Sequence, residues 1–265
     1  GRWKYHGGVL CSDGCIYGIP CNAETVLRIN TLTDEVTTFG GPFPGNQKYY
    51  GGVLAPDGNI YGIPVTADAV IKINPRTSEA TMIGQLELGG YKWHGGSLGS
   101  DGCVYGIPFN ANKVLKIDPV TGTLSTIGPD LPTGTHRQDG KYKYLGAVVG
   151  KDKAIYCMPG DAQRVCKIVP DTGEVTLIGP EFAARCNKWQ NGFVCANGTI
   201  YGIPLDEESV LKIVPSTGEV SAVGTPEGCH ALKGIQKWEG AVMGPDGSIY
   251  CMPLRSKAVL KISPQ

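Results

Sequence analysis

Short runs of alternating apolar and polar residues, separated by turn residues, recur along the whole chain. In the second copy of this pattern the runs are residues 49–54, 59–64, 70–74 and 79–84. A tight turn, Ala55-Pro56-Asp57-Gly58, separates the first two runs. Runs of this length that are rich in Val, Ile, Tyr and Thr and bounded by Gly, Pro and Asp predict β-strands. We therefore expect an all-β protein with four short antiparallel strands, A to D, in each copy.

Three separate signals show that this unit occurs six times. The tetrapeptide Tyr17-Gly18-Ile19-Pro20 returns, in some copies as Tyr-Cys-Met-Pro, with its tyrosine at Tyr61, Tyr105, Tyr156, Tyr201 and Tyr250, at spacings of 44, 44, 51, 45 and 49. A Val-apolar-basic-Ile tetrad begins nine residues after each tyrosine, and a Lys-aromatic pair precedes it at a fixed offset. Four antiparallel strands per repeat of about 44 residues is typical of β-propeller blades. The chain is predicted to be one domain, residues 1–265, folded as a six-bladed β-propeller with blades near 1–40, 41–84, 85–128, 129–179, 180–224 and 225–265.

The lengths of the connecting segments predict the order of the strands. Short turns join A to B, B to C and C to D, whereas the D–A connectors vary from 7 residues after Gly40 to 14 residues after Gly128. Strand A is therefore expected to be innermost and strand D outermost. The sixth copy stops after strand C, so the last blade is expected to lack its outer strand. Either residues 259–262 form an exposed edge, or the fourth strand comes from chain outside this sequence or from a partner.

Composition narrows the classes of partner. Lys+Arg and Asp+Glu are balanced at 24 each, so the overall field is weak and neither nucleic acid nor a membrane surface is an expected partner. No apolar run approaches the roughly 20 residues of a membrane-spanning helix, and residues 1–30 show no leader pattern. We predict a protein partner or a larger complex, without a membrane span, and leave the cell compartment open.

Two recurring motifs resemble the blades of the NHL-repeat, virginiamycin B lyase and gluconolactonase-like propellers. They are Gly-Gly-Val-Leu-x-x-Asp-Gly-x-Ile-Tyr and Val-Leu-Lys-Ile-Asp-Pro-x-Thr-Gly. The resemblance spans the chain but is carried by residues that build blades, so it implies fold more than activity. The lyases and lactonases of this group would imply a metal, or a catalytic histidine with acidic residues, at the tunnel mouth. No site here matches them position for position, so the resemblance predicts no catalytic residue.

The first candidate site lies at the start of strand A, where every copy has a lysine followed by an aromatic residue. The lysines are Lys4, Lys48, Lys92, Lys143, Lys188 and Lys237, and the aromatic residues are Tyr5, Tyr49, Trp93, Tyr144, Trp189 and Trp238. On innermost strands they would form a ring of cations beside aromatic rings, able to bind an anionic ligand or an acidic segment. The alternative is structural: the aromatic residue packs between blades and the lysine stem covers it, with its ammonium in water. The presence of the pair in all six copies favours the structural interpretation.

The residue after each aromatic residue is the one that varies, and a specific site would be built there. These residues are His6, Tyr50, His94, Leu145, Gln190 and Glu239. We predict ligand-binding roles for His6, Tyr50, His94, Gln190 and Glu239. His6, His94 and Glu239 are also candidates for a divalent-metal or acid–base site, although blades one and three are not neighbours. The other two histidines, His136 and His230, lie in the longest connectors.

Most of the ten cysteines occupy places that small apolar residues fill in other copies. Cys157 and Cys166 would face each other across the B–C hairpin, and Cys11 and Cys15 flank a turn, so one or two disulfides remain open. No Cys-x-x-Cys spacing occurs, so structural zinc is not expected.

Three functions are consistent with these observations. The first is a non-catalytic binding or scaffold module that engages a protein partner through the face formed by the D–A connectors and B–C turns, here called the D–A face. The second is a propeller enzyme of the lyase or lactonase type with a metal at the tunnel mouth. The third is a multivalent carbohydrate-binding lectin. The uniform repeats, the unfinished sixth blade and the absence of a recognisable catalytic set favour the first, which needs no cofactor.

Overall fold

The computed structural model describes residues 2–132, 142–224 and 232–264, which form 23 β-strands. The chain divides into two compact units, Gly1–Ile127 and Gly128–Gln265, each described here by itself. In these described ranges no helix has the length and apolar character required to cross a membrane. His136 and His230 lie outside the described residues. The single-domain organisation stays a prediction.

The first unit contains three antiparallel sheets of four strands. The strands are β1 Tyr5–Leu10, β2 Cys15–Pro20, β3 Val26–Asn30 and β4 Val36–Phe39; β5 Tyr49–Leu54, β6 Ile60–Pro64, β7 Val70–Asn74 and β8 Glu79–Ile83; and β9 Trp93–Leu98, β10 Val104–Pro108, β11 Val114–Ile117 and β12 Leu124–Ile127. Strand order in each sheet follows the sequence, as predicted for strands A to D. The first strand of each sheet contacts the first strand of the next, β1 with β5 and β5 with β9.

The second unit contains two sheets of four strands and one of three. The strands are β13 Tyr144–Val149, β14 Ile155–Pro159, β15 Val165–Val169 and β16 Glu174–Ile178; β17 Trp189–Val194, β18 Ile200–Pro204, β19 Val210–Val214 and β20 Glu219–Val223; and β21 Trp238–Met243, β22 Ile249–Pro253 and β23 Leu260–Ile262. First strands again meet, β13 with β17 and β17 with β21. The described part of the last sheet ends at β23, which confirms that this blade lacks its outer strand.

Glycine pairs in the first strands allow these strands to approach closely. The pairing of β1 with β2 shifts register between Tyr5 and Gly8, and Gly7 adopts φ +77°. A Cβ on Gly7 would lie 3.1 Å from the Cα of Gly51, the equivalent residue of the next sheet. Only glycine combines this left-handed backbone with so close a neighbour. The bulge directly follows position 6, the first of the varied candidate positions.

The hydrophobic core lies between neighbouring sheets rather than within one sheet. Tyr49 of β5 is fully buried in one cluster with Tyr17 and Ile19 of β2. Trp189 of β17 packs in the same way with Tyr156 and Met158 of β14. The middle sheet of each unit has a neighbour on both faces, and its second strand, β6 or β18, reads as a nearly continuous apolar run that is buried throughout.

A tyrosine–aspartate hydrogen bond, which sequence reasoning did not identify, closes five A–B turns, and in four of them a strand-C lysine pairs with the same aspartate to complete a trio. The hydroxyl of Tyr105 donates to Asp101 at 2.8 Å, and the ammonium of Lys116 on β11 donates to the same carboxylate at 2.7 Å. Tyrosine donates to the equivalent aspartate at 2.7 to 2.9 Å in four other sheets: Tyr17–Asp13, Tyr61–Asp57, Tyr156–Asp152 and Tyr250–Asp246. The sequence signal for this bond is an aspartate four residues before the tyrosine that begins each Tyr-x-x-Pro tetrapeptide. The fifth copy departs from it, with Asn197 in place of the aspartate.

Three glycines that follow outer strands pack against the outer strand of the next sheet in the same unit. A Cβ on Gly179 would lie 2.5 Å from Cβ of Val220, and one on Gly40 would lie 3.0 Å from Cβ of Ala80. A Cβ on Gly84 would overlap the side chain of Leu124. All three glycines have φ between +69° and +78°. These contacts hold the outer edges of neighbouring sheets together within each unit.

We predict that Gly84→Ala destabilises the fold more than Gly122→Ala. Both glycines have φ near +70°, and a left-handed alanine costs about 1–2 kcal/mol. Only Gly84 also faces a side chain, so its substitution adds overpacking of about 1–3 kcal/mol. Nothing lies within 4 Å of a Cβ at Gly122. Urea unfolding of the two variants measures the difference, and equal losses would contradict the packing explanation.

Candidate functional site

The lysines that begin the first strands are mostly buried. Lys188 is 0% exposed, Lys143 and Lys237 are 2% exposed, Lys48 is 4% exposed and Lys92 is 8% exposed. Lys4 is exposed. For the five buried lysines, the expectation of an ammonium in water is wrong. The stems do accompany the aromatic residues, but the charged ends are enclosed by protein.

Main-chain carbonyls surround the buried ammonium groups. Nζ of Lys188 donates to the carbonyl oxygens of Gly160, Asp161 and Arg185 at 3.0 to 3.2 Å. The same arrangement recurs in other copies: Lys48 donates to Cys21, Ala23 and Gly45, Lys92 to Ala67 and Gly89, and Lys237 to Leu205, Glu207 and Gly234. In each case the lysine joins the B–C turn of the preceding sheet to the connector that leads into its own sheet. We call this arrangement the lysine clamp.

Burial disfavours the charged form of the clamp lysines. It lowers the pKa of Lys92 and Lys188 to about 8, even though nearby carboxylates favour the charged form. It also lowers the pKa of Lys48, Lys143 and Lys237. The four ammonium groups with the contacts given above use two or three of their three donors on main-chain carbonyls. An anion-binding ring of lysines stays a prediction, and these contacts favour a structural role.

The aromatic residues beside the lysines are structural as well. The indole N–H of Trp189 donates to the carbonyl of Ser209 at 2.7 Å, and that of Trp238 donates to Ala258 at 2.8 Å. Trp93 makes the same bond to Lys113. Each bond ties the first strand to the B–C turn of its own sheet. Lysine and aromatic residue together therefore fix the B–C turns on the D–A face.

Three varied residues of the first unit form one aromatic cluster. The rings of His6 and Tyr50 are stacked, with centroids 4.0 Å apart and planes at 14°. His94 meets Tyr50 edge-on at 4.9 Å and lies 5.9 Å from His6. Phe109 follows at 5.0 Å from His94, a neighbour that sequence reasoning did not include. The expectation that non-adjacent sheets would separate His6 from His94 is wrong, because the bulged first strands converge.

Both histidines of this cluster favour the neutral form. Burial, together with the charge of His6, lowers the pKa of His94 to about 4. Burial also lowers the pKa of His6. Neutral imidazoles can accept a hydrogen bond or bind a metal through one ring nitrogen. The cluster is therefore an uncharged, partly aromatic surface at neutral pH.

The candidate residues of the second unit have different surroundings. The amide of Gln190 donates to the carbonyl of Trp238 at 3.1 Å, and the amide of the next residue, Asn191, donates to the carbonyl of Glu239 at 3.3 Å. Glu239 itself is exposed. Gln190 thus helps join β17 to β21, while the ligand-binding roles of Gln190 and Glu239 stay predictions. The set of His6, His94 and Glu239 also stays a prediction, since Glu239 belongs to the other unit.

Metal-ligating and thiol groups are dispersed. Across residues 2–132, 142–224 and 232–264, no three His, Cys, Asp or Glu side chains lie together in a way that could hold a metal ion. The nine described cysteines are free thiols. Cys157 and Cys166 do face each other as partners in the β14–β15 pairing, as the repeat alignment predicted. Their hydrogen bond and their burial raise the pKa of Cys157.

A groove of about 520 Å³ opens on the D–A face of the first unit. The connector residues Pro42, Phe43 and Leu88 form its apolar walls, together with Met82 of β8, and Asp68 of a B–C turn lies at its margin. Leu88 is 79% exposed and Met82 43% exposed. The sequence signal was the Gly-Gly-Pro-Phe-Pro-Gly run at residues 40–45, which the repeat alignment treated only as a connector.

Solved structures of known proteins share this fold over nearly the whole chain. Virginiamycin B lyase from Staphylococcus aureus superposes with a TM-score of 0.71 at 15% identity, covering 99% of this chain and 85% of that one. A streptogramin B lyase gives a TM-score of 0.70 at 15% identity, covering 99% and 83%. A catalytically inactive variant of the S. aureus enzyme with quinupristin gives 0.72 at 13% identity, covering 97% and 83%. No family model and no curated protein sequence matches the chain.

The fold is a six-bladed β-propeller. Six antiparallel sheets of four strands, the last with three, agree with the similarity to the virginiamycin B lyase propellers. The predicted fold class and the resemblance to this group are thereby confirmed. At 13–15% identity the likeness extends to the fold and not to activity.

We predict that Lys188→Met lowers the free energy of unfolding by about 2–4 kcal/mol, because it leaves buried carbonyls without a donor. Lys4→Met, at the equivalent but exposed position, changes it by less than about 0.5 kcal/mol. Denaturant titration of both variants at pH 7 is the measurement. A Lys188→Met protein as stable as the parent would show that the clamp contributes nothing.

The low pKa of His94 predicts acid sensitivity. Its folded-state pKa of about 4 lies below the ordinary 6.5, so between these values the unfolded chain binds more protons than the folded protein. The stability that depends on neutral His94 is complete above pH 6.5 and is lost as the pH falls to 4. His94→Leu, which copies Leu145, should flatten this part of the stability profile, whereas Gln190→Leu should not. If the stability of the parent and of His94→Leu changed with pH in the same way, the predicted contribution of His94 would be contradicted.

Proposed function

We propose that this chain is a non-catalytic binding module that engages a protein partner through the D–A face. The single observation that carries the proposal is the apolar groove of about 520 Å³ between the connectors of the first unit. Grooves of this size accommodate peptide side chains or small ligands. Exposed Leu88 and Met82 leave apolar surface beside a concave site, which is typical of interaction surfaces.

The charges around the groove suggest the chemistry of the partner. Lys48 lines the groove, but its ammonium is bound by three carbonyls of the clamp. Asp68 is exposed, so a carboxylate is the accessible charge among these groove residues. A partner segment with an apolar anchor next to a basic residue would complement both features. The uniform residues of the repeat hold this face in shape, and the connector residues give it its specificity.

The experiment compares capture of partners by three forms of the protein. Wild type, Leu88→Asp and Val120→Asp are used as baits in extracts of the native source, followed by cross-linking and quantitative mass spectrometry. Val120 is 92% exposed on a C–D turn of the same unit, so its substitution is a matched control away from the groove. We expect a specific protein that Val120→Asp retains and Leu88→Asp loses. Equal capture by all three forms would exclude the groove as the binding surface.

Two observations support an enzyme as the second candidate. The neutral rings of His6 and His94 lie 5.9 Å apart, close enough for both to contact one ligand, and the fold is similar to that of lyases. An enzyme of the lyase or lactonase type would use this pair with a divalent metal at the same face. Elemental analysis of purified protein decides between the candidates. A stoichiometric divalent ion that is lost in His6→Ala would favour the enzyme, and its absence would favour the binding module.

A further inference from the structure

The three-stranded sheet of the second unit has an open edge beside a groove. The groove measures about 350 Å³ and is lined by Leu260 and Ile262 of β23 and by Val223 and Gly224 at the end of β20, among others. Leu260 is 9% exposed and Ile262 is 8% exposed, so both pack toward the preceding sheet. In the five complete sheets, a fourth strand pairs with the strand equivalent to β23.

The glycines that follow the outer strands show which side chain is missing from this groove. Within the two units, Gly40, Gly84 and Gly179 each face an apolar side chain at the start of the next outer strand. Gly224 is the equivalent glycine of the fifth sheet and has the same backbone, with φ +73°. Its nearest neighbour is Leu232, at 3.5 Å from an added Cβ, and not an outer strand. The groove therefore has the shape that receives an apolar side chain from a fourth strand.

The turn end of the groove carries polar groups that have no partner within the described residues. Asn197 replaces the aspartate of the A–B turn, and neither Tyr201 nor Lys212 makes a hydrogen bond or an ion pair in the part of the chain that the structure describes. Both side chains line the groove. In another sheet the equivalent lysine, Lys116, lies 2.7 Å from its carboxylate. Among the described residues nothing offsets the ammonium of Lys212 or accepts from the hydroxyl of Tyr201, and both favour an acidic group in whatever binds here.

We propose that this groove binds an extended, acidic segment of a partner polypeptide, which pairs antiparallel with β23 as a fourth strand. Strand addition satisfies the open main-chain groups of an edge strand, and side-chain pockets select the sequence. This groove lies along the open edge of β23 in the second unit and shares no lining residue with the groove of the first unit, so the inference goes beyond the proposed function and does not depend on it.

The complete sheets define the sequence of the bound segment. In the fifth sheet, Ile213 pairs with Val220, Lys212 with Ser221 and Val214 with Glu219. By the same register, the partner places a β-branched apolar residue opposite Ile262, a hydroxyl residue opposite Lys261 and an acidic residue opposite Ser263. Outer strands begin with glutamate in three sheets, at Glu79, Glu174 and Glu219. A–B and C–D turns lie at one end of an antiparallel sheet, so an acidic start lies at the same end of the groove as Lys212.

A synthetic peptide tests the proposal directly. The probe is a labelled, end-blocked copy of residues 216–224, and its binding to the 265-residue chain is measured by fluorescence anisotropy. Hydrogen exchange then locates it, with protection of the amides of residues 259–263 as the expected result. A peptide carrying Ser221→Pro, which removes a main-chain donor and disrupts pairing, should not bind. A peptide carrying Val220→Lys should not bind either, because it places a charge against Gly224.

Two protein variants test the charge. Lys212→Glu should weaken peptide binding about fivefold at low salt, since exposed ion pairs are modest and are screened by ions. Lys257→Glu makes the same charge change at an exposed position outside the groove and should leave binding unchanged. Leu88→Asp should also leave it unchanged, so failure here and failure of the D–A face are distinguishable.

Three results would overturn the proposal. The first is that the peptide does not bind. The second is exchange protection along β19, which would mean that the peptide merely replaces β20. The third is dimerisation of the protein with protection of residues 259–263, which would identify a second copy as the occupant. Sedimentation of the unbound protein across a range of concentrations separates the last result from the others.

Discussion

Within each unit, the buried lysine clamp fixes how a sheet is placed against the preceding one, and the other features of the fold build on it. An ammonium taken out of water is costly unless its donors are satisfied, and here carbonyls from two different segments satisfy them. Because one carbonyl set belongs to the preceding sheet, the clamp joins successive sheets rather than strengthening one. The buried aromatic residue beside each lysine supplies the apolar part of the same junction. A repeat built on this junction fixes where each first strand begins.

The lysine clamp separates the residues that hold the sheets together from the residues that can form a binding site. Since lysine and aromatic residue are used in the junction, the residue after them is free to vary, and the bulged glycine pair brings the varied positions of the first unit into contact. The connectors are similarly free, because the clamp needs only one of their carbonyls. The apolar groove on the D–A face arises from this freedom, because its walls come from connector residues such as Pro42 and Leu88.

The fifth and sixth copies show the effect of an interruption in the repeat. Asn197 removes the carboxylate that the turn trio requires, and the next sheet has no described fourth strand. Both changes border the same groove. There, Lys212, Tyr201 and Gly224 lack, among the described residues, the neighbours that the equivalent residues have in other sheets. Elsewhere each of these groups is satisfied within its unit, which is why this edge differs from the outer edges of the other sheets.

Patterns along the chain were enough to establish the number of sheets, the order of their strands and most strand boundaries, because turn residues and apolar alternation are local signals. For example, β5 and β7 begin and end at the predicted residues. Repeat alignment also predicted the open edge and the Cys157–Cys166 pairing. The three-dimensional packing was needed to establish that five of the lysines are buried donors, that His6 and His94 meet, and that Leu88 and Met82 border a groove. Each of these features depends on how neighbouring sheets pack. The distance between two sheets and the burial of side chains between them do not produce a periodic pattern in the sequence.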